Sequence, residues 1–485
     1  MSVYNLSKIE NVFKKIQDNN VDFVEFWFVN IFGELHSLSI PSYSLNEDHF
    51  KNGLQKLDAS SIKGFKSVDD SDLLLMPDIS TFRILPPYYD NGNRQNACVF
   101  ADIYDKKDQS ISRFSKDSRS ILAKTRDELR KFGIDEARFG PEIEFFIFDS
   151  LKMIPSTTNA ISSSGTIGYS IKSMEAPWSQ EDTSIDLKGG YYMAKPKDTM
   201  DIVRKDICDD LHQYFGIQVE AHHHEVATSG QCEINVQHNE MLAMADSVIS
   251  IKNMVKVKAK QMGKVATFMP KPIYGDNASA MHIHHSFSSN NENLLYDPND
   301  QVTALSQTAR YYIGGILDHA EALCAISNPT TNSYKRLVPG FEAPVGICWG
   351  LSNRTAAIRI PKVFDDDKNK KRLEYRVPDA TSNIYLLEAA LVLAGLDGIK
   401  RKLDPGSPVE QSVYRMTPEK RRNYNVRFLP STLKEALDAL QSDKKFLQDV
   451  FTGEFLDTYT TIKYEEYSLF AQTPTVWEVA MYSSL

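Results

Sequence analysis

The feature that most constrains the fold is a short run, Gly140 to Asp149, in which acidic and apolar residues alternate. Glu142 and Glu144 stand two positions apart, with Ile143 between them. Because side chains alternate between the two faces of a strand, this spacing predicts a strand with both carboxylates on one face and a core on the other. Two adjacent carboxylates repel each other and lose hydration, so the pattern favours a bound cation or proton. Taken alone, it also fits a solvated edge strand.

A second segment, residues 219–236, predicts a hairpin with its turn at Gly230. Glu225 and Glu233 lie almost symmetrically about that turn, so the two strands would bring them together. Two more segments place polar residues at every second position. These are His282, His284 and Ser286 in 281–287, and Glu374 and Arg376 in 372–378.

Five glutamates and at least one histidine therefore share the polar faces of predicted strands. A single buried glutamate or histidine is usually a hydrogen-bonded core residue, but a set of this size predicts a metal site. Oxygen-rich ligands without cysteine favour Mg²⁺ or Mn²⁺ over zinc.

Four arginines lie close in sequence to these acidic segments: Arg336, Arg354, Arg359 and Arg376. Guanidinium groups hold phosphate and carboxylate through paired hydrogen bonds. Carboxylates, divalent cations and arginines together predict phosphoryl transfer from a metal nucleotide. The sequence contains no GxxxxGK[ST] or GxGxxG loop, so neither a P-loop nor a Rossmann phosphate site is implied. Each arginine alone could equally form a surface ion pair.

Composition narrows the class further. The 485 residues include 42% hydrophobic and 25% charged residues, which predicts a globular chain with a large core. A net charge of -9 without a basic stripe argues against nucleic acid or an anionic membrane as partner. Five widely spaced cysteines, no CxxC pair, no secretory signal and no membrane-spanning run predict a cytoplasmic protein with reduced thiols.

Periodicity predicts an α+β fold. A helix from about Ser7 and strands over 21–29 and 34–40 open a small mixed domain, and the polar segment 105–112 predicts a linker. Helices over 118–132, 243–262, 302–325 and 386–399 would back a curved sheet. The Ser-, Thr- and Gly-rich segment 150–190 predicts a functional or intersubunit loop, and the charged run 365–372 a solvated loop.

With these residues in place, the sequence resembles the type I glutamine synthetases over essentially its whole length. Eight motifs in the family's order carry the resemblance: Leu57–Ile62, Pro141–Phe146, His222–Ala227, Asn277–His282, Asn332–Pro344, Asn353–Arg354, Ile358–Pro361 and Arg376–Asp379. The resemblance implies a β-grasp-like N-terminal domain, residues 1–110. It also implies a large catalytic domain that binds ATP and glutamate, residues 111–485, built on a curved antiparallel sheet with flanking helices.

The resemblance also implies a role for each matching residue. At least two Mg²⁺ or Mn²⁺ ions would be held in each site, one by Glu144, Glu225 and Glu233, the other by Glu142, His282 and Glu374. ATP would be bound by Glu220, His223, His284, Ser286, Arg354, Arg359 and Arg372. Glutamate would be bound by Asn277, Ala278, Arg336 and Arg376, under a flap that carries Glu342. Ammonium would be bound by Asp58, Ser61 and Tyr191.

The implied reaction is the ATP-dependent ligation of ammonia to L-glutamate through γ-glutamyl phosphate. Asp58 would reach the site from a neighbouring subunit, in an assembly of two stacked hexameric rings. Two alternatives remain open: a γ-glutamyl-amine ligase of the same family, and a catalytically inactive relative.

The sequence departs from the family pattern at several positions. Alanine replaces the usual glycine at Ala59, Ala278 and Ala280. A Cβ at Ala278 would be strained if that backbone required a positive φ. His238 stands where an aromatic ring commonly faces adenine, and Lys63 replaces an arginine used in feedback inhibition by some members. The surroundings of Tyr414 do not match the modifiable tyrosine motif, so we expect no adenylylation.

Overall fold

The computed structural model describes residues 6–90, 92–107, 110–154, 168–363 and 367–485. Two large sheets organise this part of the chain, one in the N-terminal quarter and one in the remainder, and a two-stranded hairpin is separate from both. Within the same residues, no helix is both long and apolar enough to cross a membrane.

The first sheet has seven strands. They are β1 (Phe23–Val29), β2 (Leu35–Pro41), β3 (Leu54–Asp58), β4 (Asp72–Pro77), β5 (Arg83–Ile84), β6 (Asn96–Lys107) and β7 (Ser110–Arg113). The order is β2-β1-β6-β4-β3, with β5 and β7 also paired to β6, and β1 runs parallel to β6. Helices α1 (Leu6–Asp18) and α2 (Glu47–Lys51) belong to the same region. The predicted first helix is confirmed, since α1 buries Ile9, Val12 and Ile16 at helical spacing.

The polar segment 105–112 is not a linker, and that prediction is wrong. Strand β6 continues to Lys107 and β7 returns from Ser110, with Asp105 opposite Ser112. Its polar composition reflects its place on a hairpin, where Asp105 forms an ion pair of 2.8 Å with Lys66. The first sheet therefore extends past residue 110, and the domain division at 110/111 stays a prediction.

The second sheet has eleven strands, and two further strands form a separate hairpin, which makes thirteen among the described residues. The strands are β8 (Glu136–Phe148), β9 (Ser150–Ile154), β10 (Gly168–Lys172), β11 (Val219–His224), β12 (Gln231–Val236), β13 (Asn239–Glu240), β14 (Val265–Thr267), β15 (Met281–Ser289), β16 (Glu292–Asn293), β17 (Gly346–Leu351), β18 (Ala356–Ile360), β19 (Leu373–Tyr375) and β20 (Arg427–Phe428). The order is β11-β12-β8-β15-β19-β18-β17-β20, while β9 pairs only with β10. The predicted α+β fold and antiparallel sheet are confirmed, with β17 and β18 as a parallel pair.

Helices flank this sheet. They are α3 (Ser118–Lys131), α4 (Asp201–Asp210), α5 (Met241–Gln261), α6 (Gln307–Asp318), α7 (Ala320–Ser327), α8 (Ser333–Arg336), α9 (Ile384–Arg401), α10 (Pro418–Asn423), α11 (Leu433–Ser442), α12 (Gly453–Gln472) and α13 (Val476–Tyr482). The predicted helix over 386–399 lies within α9, and most side chains of α9 are buried.

The predicted helix 302–325 is two helices. Ser306 caps α6 by accepting a hydrogen bond from the Ala309 N–H, so residues before it are not helical. His319 separates α6 from α7, and its ring nitrogens lie 2.7 Å from Asp443 Oδ2 and 2.9 Å from Asp397 Oδ2. Periodicity alone could not find this break, because both partners lie far away in sequence.

The predicted loops are only partly described. Within 150–190 the structure shows the β9–β10 hairpin followed by turns, and residues 155–167 lie outside the described residues. Within 365–372, residues 365 and 366 lie outside them, and a short turn at Lys368–Lys370 precedes β19.

Candidate active site

Strand pairing gathers the predicted acidic residues on one face of the second sheet. Across β8 and β12, Glu144 lies opposite Glu233. On the other side of β8, Glu142 lies opposite His282 of β15, and His284 lies opposite Glu374 of β19. The hairpin β11–β12 then brings in Glu225, whose N–H donates to the Gln231 carbonyl just past the end of β11. Period-two spacing in four distant segments thus becomes one polar surface.

A small cavity of about 220 Å³ lies on this surface. Fifteen of the predicted site residues line it: Glu142, Glu144, Tyr191, His223, Glu225, Glu233, Asn277, Ala278, His282, Arg336, Glu342, Arg354, Arg359, Glu374 and Arg376. This cavity therefore unites the residues assigned to both metals, to glutamate and to the flap.

A second cavity of about 700 Å³ adjoins the first and shares Glu142 and Asn235 with it. The remaining residues assigned to the nucleotide line this larger space, namely Glu220, His284, Ser286 and Arg372, together with His238. His223 lines the small cavity instead.

Two predicted residues, Asp58 and Ser61, are not brought to either cavity. Asp58 is the last residue of β3, Ser61 ends the short helical turn that follows it, and both are exposed. Asp58 Oδ1 accepts hydrogen bonds from the Ser60 hydroxyl (2.7 Å) and N–H (3.0 Å), which lower the pKa of the carboxyl. Among the described residues that line the two cavities, none comes from before residue 136.

The first cluster, Glu144, Glu225 and Glu233, is strongly self-repelling. Burial, reinforced by the Glu233 charge, raises the pKa of Glu144 to about 8. Burial and the charges of Glu144 and Glu233 raise the pKa of Glu225 well above its ordinary value. The nearby imidazole of His223 lies 3.5 Å from Glu233 Oε1 and 3.9 Å from Glu225 Oε1.

The second cluster, Glu142, His282, His284 and Glu374, is balanced from within. Glu142 Oε2 lies 3.0 Å from His282 Nδ1, and Oε1 lies 2.9 Å from His284 Nε2. Burial alone would raise the pKa of Glu142, but these two contacts outweigh burial and lower it. Burial is likewise outweighed at Glu374, whose pKa is lowered chiefly by the charge of Arg376.

Glu374 is also held directly by arginines. Its two oxygens accept short hydrogen bonds, one from Arg376 and one from Arg359. Arg336 is buried beside them and donates to the Val377 carbonyl at 2.6 Å and the Arg376 carbonyl at 3.0 Å. These arginines therefore form one positively charged wall of the site. Some of their N–H groups already donate to backbone carbonyls.

The donor groups fit two divalent cations. The ligand atoms of His223, Glu225 and Glu233 lie within 4.8 Å of one another, as do those of Glu142, His284 and Glu374. Each set differs by one member from the predicted triads. Glu144 instead accepts from the Ala280 N–H at 2.9 Å and from Gln231 Nε2 at 3.2 Å. Hard oxygen ligands with an imidazole suit Mg²⁺ or Mn²⁺, and a cation would relieve the repulsion within the first cluster.

The alanine substitutions do not strain the backbone. Ala59, Ala278 and Ala280 are all absent from the described non-glycine residues with positive φ. The strain considered for Ala278 therefore does not arise. Its carbonyl accepts a hydrogen bond of 3.2 Å from Gln231 Nε2, which fixes the loop at the cavity wall.

Sequence reasoning missed three residues of the site. Gln231 and Asn235 lie on either side of Glu233 at the same period of two, and Asn235 Oδ1 is buried without a hydrogen-bond partner among the described residues. The period-two spacing that predicted Glu233 would also have predicted both residues if amide side chains had been considered together with carboxylates. Tyr192, whose ring centroid lies 4.6 Å from that of His223, carried no comparable signal.

Comparison with known families gives the same architecture over both domains. Residues 20–106 match the family model described as "Glutamine synthetase, beta-Grasp domain". Residues 115–482 match the model described as "Glutamine synthetase, catalytic domain".

Individual relatives match over nearly their full length. The chain is 44% identical to a glutamine synthetase of Sulfolobus acidocaldarius, covering 96% of each sequence. It is 40% identical to one of Pasteurella multocida, covering 98% of each. A cryo-EM structure of Plasmodium falciparum glutamine synthetase superposes with a TM-score of 0.86 at 28% identity, covering 99% of each chain. The chain belongs to the glutamine synthetase family.

Proposed function

We propose that this protein catalyses the ATP-dependent ligation of ammonia to L-glutamate, giving L-glutamine, ADP and phosphate. The observation that carries the proposal is a single polar face that bears two candidate metal-binding clusters and four arginines and lines two adjoining cavities. The larger cavity has room for a nucleotide and the smaller one for an amino acid, and the terminal phosphate of ATP would meet glutamate where they join.

Two Mg²⁺ or Mn²⁺ ions would bind here. The first would be held by Glu225 and Glu233 with His223 or Glu144, the second by Glu142 and Glu374 with His284 or His282. When bound, the ions would neutralise the phosphate charge and orient the transferring group. At least two ions per site are needed because the two clusters are separate.

The arginines and the loop 277–278 would orient the substrates. Arg354 and Arg359 line the small cavity and would stabilise the charge of the transferring phosphoryl group. Arg336 and Arg376 would bind carboxylates of glutamate, and Asn277 with the Ala278 carbonyl would bind its amino group. The γ-carboxylate of glutamate then attacks the terminal phosphate, forming γ-glutamyl phosphate and releasing ADP.

On the nucleotide side, Glu220, His284, Ser286 and Arg372 would contact ATP, because they line the larger cavity. Arg372 Nε donates to His284 Nδ1 at 3.2 Å, which links a guanidinium on this wall to a ligand of the second cluster. His223 would lie at the junction, next to the first ion.

Ammonia capture would require a neighbouring subunit. Asp58 and Ser61 are exposed in the first domain, away from the cavities of their own chain. Supplied by a second copy beside Tyr191, the Asp58 carboxylate would attract ammonium and accept its proton, since only neutral ammonia attacks the acyl phosphate. The flap with Glu342 would exclude water, which would otherwise hydrolyse that intermediate.

We therefore propose a homo-oligomer of two stacked hexameric rings with active sites between subunits. The exposed apolar side chains of the C-terminal helix α13 support an interface between copies: Val476, Trp477, Val479, Met481 and Tyr482 are each more than half exposed. We also propose that the enzyme works in the cytoplasm, because its five cysteines are free and four of them are buried. The two units are proposed to divide near residue 110.

The alternatives are not favoured. An inactive relative would have no reason to keep both clusters, and a γ-glutamyl-amine ligase would not require the acidic residue Asp58. We expect neither to describe this chain.

The experiment uses purified protein with ATP, glutamate and Mg²⁺, and compares ammonium with methylamine while ADP and the amide product are measured. Glutamine should form with ammonium at a rate that matches ADP release. Asp58→Ala should keep glutamate-dependent ADP release and lose glutamine formation, whereas Asp69→Ala, an exposed carboxylate of the same domain, should behave as wild type. Preference for methylamine, or an unchanged Asp58→Ala rate at limiting ammonium, would contradict the proposal.

A further inference from the structure

Two lysines contact an aromatic ring of the flap, which comprises residues 338–344. Lys271 Nζ lies 3.8 Å from the centroid of the Phe341 ring and Lys188 Nζ lies 4.0 Å from it. Lys188 Nζ also donates to the Gly340 carbonyl at 3.2 Å. An ammonium group at this distance is attracted by the negative face of the ring, so two such contacts act on the same side chain.

The two lysines belong to segments that already form the site. Lys188 lies three residues before Tyr191, and Lys271 lies six residues before Asn277. The buried carboxylate of Asp276 joins these segments, because its Oδ1 accepts from the N–H groups of Lys188 (3.0 Å) and Asn277 (2.9 Å). The Asp276 carbonyl accepts from Lys271 Nζ. Both lysines that contact Phe341 are therefore hydrogen-bonded to Asp276, which is next to Asn277 of the proposed glutamate site.

The Phe341 ring also interacts with the positive charges of Lys188 and Lys271. Each of the two ammonium groups donates a hydrogen bond to a carbonyl oxygen, which carries no net charge. Burial lowers the pKa of Lys271 to about 8; the negative charge of Asp276 opposes this shift and the positive charge of Lys188 adds to it. The negative π face of Phe341 attracts both cations, of which Lys188 is exposed and Lys271 is half-buried.

The backbone of the flap shows why such an anchor is needed. Gly340 has φ of +91° and Glu342 has φ of +59°, so both neighbours of Phe341 lie in the left-handed region. For a glutamate this conformation is unfavourable and persists only when the surroundings impose it. At the other end of the flap, the Tyr414 hydroxyl donates to the Ala343 carbonyl. The end that bears Phe341 and Glu342 is held by the lysines.

We propose that Phe341 is a positioning residue: Lys188 and Lys271 clamp its ring, and this clamp keeps the flap closed with Glu342 over the small cavity. The inference rests on the proposed function, since a closed flap matters because it keeps water from γ-glutamyl phosphate. Loss of the clamp then releases ADP and phosphate without making glutamine.

The test compares Phe341→Leu, which keeps the apolar volume and removes the π face, with Phe341→Trp, which keeps a π face. Two quantities are measured: ADP released per glutamine formed, and the rate at which glutamyl endopeptidase cuts the folded enzyme after Glu342. We expect about a tenfold rise in cleavage rate and a clear excess of ADP over glutamine for Phe341→Leu, and near wild-type values for Phe341→Trp.

A double-mutant cycle separates the clamp from general loosening. Lys188→Met should raise both quantities more in the wild-type background than in Phe341→Leu, where the partner ring is already gone and only the hydrogen bond to the Gly340 carbonyl is lost. Equal effects of Lys188→Met in both backgrounds, or wild-type behaviour of Phe341→Leu, would overturn the proposal. If the wild type makes no glutamine, the proposed function fails, whereas the cleavage comparison still decides whether the clamp exists.

Discussion

In the second cluster, Glu374 lies between Arg359 and Arg376 and Glu142 lies between two imidazoles, whereas in the first cluster three carboxylates face one another beside His223. The two clusters occupy one sheet face, and β8 supplies a glutamate to each. The pKa of Glu142 and Glu374 is lowered, while that of Glu144 and Glu225 is raised. The carboxyl groups of the two clusters are similarly buried, yet their pKa values shift in opposite directions, because the charged groups around them differ.

This difference separates two tasks. A carboxylate that arginines already neutralise stabilises the fold before any ligand arrives. A set of carboxylates that repel one another destabilises the fold until a cation binds, and so stores binding energy for that cation.

Removing a carboxylate from the first cluster should affect activity most. Glu225→Gln should lower the rate of glutamine formation by about 10³-fold and raise the Mg²⁺ concentration needed for half-maximal activity, because an anionic ligand is lost. Glu220→Gln, outside both clusters, serves as the control and should change mainly the KM for ATP. Equal Mg²⁺ requirements for the two variants would contradict the assignment.

The same type of substitution should have opposite effects on the stability of metal-free protein. Glu374→Gln leaves Arg359 and Arg376 without their buried partner and should lower the free energy of unfolding by about 3 kcal/mol. Glu225→Gln relieves repulsion and should raise it by about 1 kcal/mol. Denaturant midpoints measured in EDTA give both values. A change of the same sign in both variants would contradict the proposed difference between the clusters.

Metal-free protein should lose stability as the pH rises. The pKa of Glu144 is about 8 in the folded state against 4.5 for the free side chain, so between these values the folded state binds more protons than the unfolded state. Stability should therefore fall by roughly 3 to 4 kcal/mol from pH 5 to pH 8, and added Mn²⁺ should restore more of it at pH 8 than at pH 6. Melting temperatures in EDTA and in Mn²⁺ measure this, and Glu144→Gln should flatten the slope.

Glu388 of α9 extends the comparison to a carboxylate outside both clusters. It is fully buried, and neither oxygen has a hydrogen-bond partner among the described residues. Burial, with smaller contributions from Glu240 and Asp246, raises the pKa of Glu388 well above its usual value. Glu388→Met should therefore raise stability by about 1 kcal/mol at pH 8 and less at pH 5, with unchanged activity. A lower melting temperature at both pH values would indicate a partner for this side chain.

Most of the site could be predicted because strand periodicity is local. The alternation around Glu142, Glu233 and His284 requires only neighbouring residues to be read, and pairing then brings the segments together. The division of ligands between clusters could not be predicted in this way. Whether Glu144 or His223 completes a triad depends on Ala280 and Gln231, which lie far from one another in sequence.

In the fold as well, local sequence patterns could be predicted and contacts between distant residues could not. The amphipathic pattern of α1 and the apolar sequence of α9 were sufficient to place both helices. The segment 105–112 and the break at His319 were missed, because each depends on a distant partner: Lys66 for Asp105, and Asp443 and Asp397 for His319.

Strand β8 pairs on one edge with β12 and on the other with β15, and its alternate residues Ile143 and Phe145 are buried in the core. Inserting a single residue ahead of Glu142 within this strand would turn both glutamates toward the core and the aromatic rings toward the substrates. Related sequences should accordingly tolerate substitutions in β8 but no insertions or deletions. Loop grafting or circular permutation should also leave that strand intact.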